Sequence, residues 1–213
     1  MLNKLALPLT LLAMLAACLC CPLTLPLAPD VQTTWQPPLP GLPTAIQPTA
    51  ISTLSIPNAT IEWYDIYGST SAELRQQVDT YGPLDDNGER WEALTHWRIH
   101  WNWPGYGKAN CDLSAATVRY ENTVTLPRWN PPPEASARLI ERWNAYLPAL
   151  ARHEQHHVEI VVEHYQEVLT AIQAADCLSA DAAAMAAFEE IRRLQNEYDE
   201  VSQHSVAEGV QFP

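Results

Sequence analysis

The chain has 213 residues, 47% of them hydrophobic and eight of them Trp, which suffices for one domain with a core plus accessory segments. Its formal net charge is −13 and it carries no cluster of basic residues, which argues against nucleic acid as a partner. Acidity of this kind also serves solubility, so it selects no substrate.

Residues 1–18 read as an export signal. Lys4 is the only charged side chain before an uncharged run over residues 5–17. That length suits the core of a signal peptide and is too short to span a bilayer. The run closes on Leu15-Ala16-Ala17-Cys18, which resembles the bacterial lipobox, so Cys18 is the expected lipidation site. Residues 19–57 read as a tether, because nine of the eighteen prolines fall between residues 22 and 57. Such a stretch keeps neither a helix nor a central strand. The expectation is an exported lipoprotein on the extracytoplasmic side of the cell envelope, with a membrane as partner through its lipid anchor.

The folded domain is expected over residues 58–213. Residues 60–67 read as a strand that Gly68 ends. Thr70 and Glu73 have capping-box spacing and open a helix through about Asp79. Tyr81 to Gly88 is rich in turn residues. From Thr95 to Trp103 the chain alternates, with Trp97, Ile99 and Trp101 on the face of Thr95 and His96, Arg98 and His100 opposite, the pattern of a strand with one buried face. Thr117 to Leu126 alternates again, and the two strands read as antiparallel neighbours. After Pro131-Pro132-Pro133 the spacing turns helical at Leu139, Trp143 and Leu147. Pro148 either kinks this helix or opens a new one. A long helix runs from Ala149 to about Ala174 and another from about Ala180 to Tyr198. Strands first and helices after give an α+β fold with a small antiparallel sheet. Cys111 and Cys177 are the domain's two cysteines, and in an oxidising compartment they are expected to pair.

His153-Glu154-Gln155-His156-His157 is an H-E-x-x-H motif inside the long helix. Spacing of four puts both imidazoles on one face, one turn apart, where they reach one ion. Zinc takes nitrogen ligands in tetrahedral geometry, and a catalytic site leaves a position to water that Glu154 can serve as general base. His156 lies off the ligand face. His164, two turns on, is a packing histidine by the same geometry. A collagenase-like extension needs a Gly bend and a His six residues after His157, where Glu163 stands. The third ligand must come from the later carboxylates and histidines: Glu189, Glu190, Glu197, Asp199, His204 or Glu208.

Several segments resemble a bacterial family catalogued as a domain of unknown function and described as predicted secreted zinc-dependent proteases. They are Tyr67-Gly68, Thr95 to Trp101, Cys111, Leu126-Pro127-Arg128-Trp129, Trp143 ahead of the His153 motif, Cys177, and Tyr198-Asp199 five residues before His204. The resemblance covers about residues 60–209. It implies a zincin-like fold and His204 as the ligand completing the site, with Glu197 the alternative. Where the family pattern resembles Tyr-Asp-x-x-Thr-x-His-Gly, this chain has Ser202 for Thr and Ser205 for Gly. Tyr198 is a candidate donor to a developing oxyanion or an aromatic cover for the core. Asp199 either holds a ligating histidine through its other ring nitrogen or caps a helix. The strand from Thr95 to Trp103 is a candidate edge for an extended substrate, with Arg98 or His100 toward the cleft. The functional expectation is a zinc metallopeptidase acting on a peptide or protein substrate. The alternatives are a non-catalytic zinc-binding surface domain for a protein partner and a zinc hydrolase acting on cell-wall peptides.

Overall fold

The structure is a computed structural model and describes residues 54–213. The expected signal sequence, Cys18 and nearly all of the tether lie outside the described residues. The folded unit begins earlier than Asn58, because Leu54 and Ile56 pack into the core, Ile56 as a fully buried side chain.

Three strands make one sheet. β1 (Thr60–Ile66) and β2 (Leu94–Asn102) flank a central β3 (Thr117–Trp129). β2 pairs with β3 antiparallel, with Ile99 opposite Tyr120, as the alternation predicted. β1 pairs with β3 in parallel, with Trp63 beside Leu126, so the sheet is mixed rather than purely antiparallel. The crossover between β1 and β3 runs through α1 (Ser71–Tyr81) and β2, and parallel neighbours require such a long connection. Pro127 is tolerated in β3 because it lies beyond Leu94–Thr125, the last pair with β2, where one side of β3 carries no ladder. β2 is an edge strand, which leaves one side of its backbone free.

α1 opens with the expected capping box. Thr70 accepts from the Glu73 amide, and Glu73 reaches back to the Thr70 amide. α2 (Ala137–Ala174) is one continuous helix of 38 residues with Pro148 inside it. Proline there removes one main-chain donor, and burial on both sides of it, at Leu147 and Leu150, outweighs that loss. α2 buries a stripe at helical spacing, including Trp143, Leu147, Leu150, Val161, Val168 and Ile172. Its first half packs with Val124, Leu126 and Trp129 of β3 in one core. Its second half packs with Ile99, Trp103 and Ile191 in another. α3 (Ala180–Ser202) returns along α2 and ends four residues later than its expected stop.

Trp97 and Trp101 of β2 pack against Phe188 of α3, with ring centroids 4.9 and 6.2 Å away, so the tryptophan face belongs to the core. Cys111, in the β2–β3 connection, is bonded to Cys177 in the α2–α3 turn across 66 residues of chain. Among the described residues no helix is long and apolar enough to cross a membrane.

Candidate metal centre

His153, Glu154 and His157 occupy the buried stripe of α2 at the junction of its two cores. Nothing in an apolar stripe satisfies two imidazoles and a carboxylate, so each needs a partner from a neighbouring element. α3 supplies most of them. Gln195, Tyr198 and Asp199 stand three and four residues apart, on one face of that helix.

The Gln195 amide donates to the His157 carbonyl at 2.9 Å, which turns its Oε1 to His157 Nδ1 at 2.5 Å. His157 Nδ1 therefore carries a proton and donates it. His153 Nδ1 faces Glu208 Oε2 at 2.9 Å, an acceptor, and is a donor for the same reason. Both Nε2 atoms then point the other way, 3.4 Å from each other. Asp199 Oδ1 closes the triangle, 3.1 Å from His157 Nε2 and 3.4 Å from His153 Nε2. These three donor atoms lie within 4.8 Å of one another and could hold a metal ion. Two of the three separations, both 3.4 Å, fit tetrahedral geometry, and the third, 3.1 Å, is shorter. Donors on a tetrahedron with bonds of about 2.0–2.1 Å stand about 3.3–3.4 Å apart. Outer acceptors on both Nδ1 atoms set the tautomer that a ligating histidine needs.

The electrostatics agree with a cation-binding position. Burial pushes the Asp199 carboxyl up, but hydrogen bonds from the two histidines outweigh it and hold the group well below the usual carboxylate range. Burial alone would pull His157 down; the hydrogen bond with Asp199 and the charge of Glu154 raise it instead. The same contacts that favour a proton on His157 Nε2 would favour a metal ion there. Glu154, 5% exposed, is raised by burial against the opposing pull of His157 and of its hydrogen bond from Thr95. Thr95 Oγ1 stands 2.7 Å from Glu154 Oε2. A cavity of about 840 Å³ opens over the cluster. His153, Glu154, His157 and Asp199 line it from the helices, and Leu94 to Trp97 line it from β2.

Several sequence expectations change here. His204 stands outside the three-residue cluster. Its side chain is 56% exposed, its ring packs on Trp91 at 4.9 Å, and its Nδ1 is 3.8 Å from Asp199 Oδ1. α3 ends at Ser202, and Gln203, His204 and Ser205 all take positive φ, so His204 stands in the turn after the helix rather than on the face that carries Asp199. Asp199 is a member of the cluster itself rather than a partner of a histidine's outer nitrogen. Glu197 pairs with Arg193, and Glu189 and Glu190 pair with Arg192 and Arg193, all on the solvent side. Tyr198 does not reach the cavity. Its hydroxyl donates to Glu208 Oε1 at 2.7 Å on the Nδ1 side of His153, and its ring stacks on His153. Burial and then Glu208 raise its proton affinity, so it is a fixed neutral donor behind the cluster. Arg98 and His100 do not line the cavity, and His100 faces Glu121 of β3. Gln195 escaped the sequence reading. Its signal was spacing, since it stands one helical turn before Asp199.

A family model described as "Bacterial protein of unknown function (DUF922)" matches residues 61–205, which include His153, His157 and Asp199 and stop short of Glu208. No curated protein and no solved structure matches.

Proposed function

The chain belongs to this bacterial family of unknown function, and we propose that it is an exported, lipid-anchored zinc peptidase. One observation carries the reading. Two histidines of a helical H-E-x-x-H and a carboxylate from the next helix converge at ligand spacing, while Glu154 lines the same cavity outside that triangle. Among the described residues three protein donors converge rather than four, which supports a catalytic site over a closed structural one. Nitrogen and carboxylate donors at these separations suit zinc.

Zinc bound by His153, His157 and Asp199 would polarise the scissile carbonyl and acidify the attacking water. Glu154 accepts that water's proton as the new C–O bond forms, and passes it to the amine as the C–N bond breaks. Burial raises its proton affinity, which favours the first transfer and keeps the proton close for the second. Glu208 and Gln195 hold the two imidazoles in the required tautomer. The edge strand β2 supports a peptide as substrate. Leu94 to Trp97 line the cavity, and the strand's outer backbone edge is open to an extended chain. The lipobox-like Leu15-Ala16-Ala17-Cys18 motivates the anchor, and the domain's disulfide suits an oxidising compartment.

Metal analysis combined with a peptide-library assay tests the reading. The native chain is expected to hold one zinc and to cleave. Glu154→Gln is expected to keep the zinc and lose about 10²- to 10⁴-fold in rate. Full activity in Glu154→Gln, or no cleavage by zinc-loaded native protein, would overturn it.

A further inference from the structure

Glu154 ends a side chain with three rotatable bonds, and a general base must present one oxygen at one place. Among the described residues Thr95 is the group that donates to its carboxylate. The Thr95 hydroxyl stands 2.7 Å from Glu154 Oε2 and 3.1 Å from the Glu154 main-chain oxygen. It has one proton to give, and the charged acceptor at the shorter distance takes it. Thr95 is itself held in register on β2, opposite Val124 of β3, on the strand face that packs toward α2.

We infer that Thr95 is the positioning residue for Glu154, its hydroxyl pinning Oε2 so that Oε1 is the oxygen free to accept the water's proton. The catalytic consequence rests on the peptidase reading; the positioning does not. Threonine suits the position on two counts. Its branched Cβ favours the strand and restricts χ1, so the hydroxyl is aimed before any substrate arrives. Its place between Leu94 and His96 also means that the backbone edge offered to a peptide is the one that holds the base. Seating the substrate and aligning Glu154 are thereby tied to one short segment.

The test compares Thr95→Val, which keeps shape and loses the donor, with Thr95→Ser, which keeps the donor. In crystal structures of the two variants, the Glu154 carboxylate is expected to leave its position in Thr95→Val and to keep it in Thr95→Ser. Both variants should bind zinc as the native chain does. In turnover, Thr95→Val is expected to lose about 10²-fold in kcat with KM within about twofold, and Thr95→Ser to recover most of it. Added to Glu154→Gln, Thr95→Val should cost nothing further, because its effect runs through Glu154. An unmoved carboxylate in Thr95→Val overturns the inference. So does a kcat loss that Ser fails to rescue or that persists in the Glu154→Gln background. If Val prevents folding, Thr95→Ala takes its place with the same readouts. If the zinc-loaded native protein cleaves no peptide, the peptidase reading falls, and the carboxylate's position alone decides the role of Thr95.

Discussion

Asp199 Oδ1 lies 3.1 Å from His157 Nε2, although the two residues stand 42 positions apart on different helices. That contact turns a histidine pair on one helix into a three-donor site, and it makes Asp199 the third ligand to test. Asp199→Ala is expected to weaken zinc binding by more than 100-fold. Gln195→Ala, which frees His157 Nδ1 without removing a donor, should weaken it by about 10- to 100-fold. His204→Ala should have the smallest effect of the three. Competition against a chromophoric chelator measures all of them, and a larger loss for His204→Ala than for Asp199→Ala would return the third ligand to His204.

The proposed zinc site makes zinc and protons competitors for His157, which predicts pH effects of opposite sign in the loaded and empty protein. In the empty site His157 is raised above its ordinary 6.5 by Asp199 and Glu154 acting against burial. Its contribution to folding is complete below about pH 6.5 and is lost as pH rises through the raised value. Asp199 is lowered from 3.8, so its contribution is complete above that value and is lost as pH falls toward its folded one. The pair therefore stabilises the zinc-free fold most between these limits. Zinc bound at His157 Nε2 would displace any proton there, so its apparent affinity should rise with pH across the same His157 titration. Melting curves of the chelated protein across pH, with and without Asp199→Asn, check the first statement. Calorimetric proton release in buffers of different ionisation enthalpy checks the second. Zinc binding without proton release below neutral pH would contradict it.

The bond between Cys111 and Cys177 closes 66 residues of chain and joins the β2–β3 connection to the α2–α3 turn. In the chain-entropy model a loop of that size is worth about 4 kcal/mol. The double variant Cys111→Ser, Cys177→Ser should lower the unfolding free energy by an amount approaching that figure in denaturant titration. Two free thiols in the unfolded, unreduced exported protein would show that the pair does not form.

Ser205 adopts φ of 72°, at the position where the family pattern resembles Gly. A side chain in the left-handed region costs about 1–2 kcal/mol, partly offset by the freedom that glycine gains in the unfolded chain. Ser205→Gly is expected to stabilise the protein by about 0.5–1 kcal/mol and to leave zinc content unchanged. Thermal denaturation measures it. A destabilised variant would show that the buried Ser205 side chain contributes more by packing than its backbone costs.

How much of this was written in the sequence follows from how far apart the interacting residues lie. His153 and His157 were legible because four residues make one helical turn, and no other element is needed to bring them together. The β2–β3 pair was legible because alternation marks the buried face of each strand. The parallel pairing of β1 with β3 was not, since it depends on how α1 and β2 cross between them. The third donor was hidden for a related reason. The family resemblance points to His204 as the third ligand, and a helix ending at Tyr198 leaves Asp199 in the tail beyond it. In the fold the helix runs on to Ser202, which keeps Asp199 on the face with Gln195, and three left-handed residues leave His204 in the turn beyond it, outside the triangle of donors. The sequence by itself determined that His153 and His157 share one helix face with Glu154 beside them, because that is a local consequence of helical spacing. Only tertiary structure decided which carboxylate joins the two histidines and which hydroxyl donates to Glu154, because α3 and β2 reach α2 through packing that no local pattern encodes.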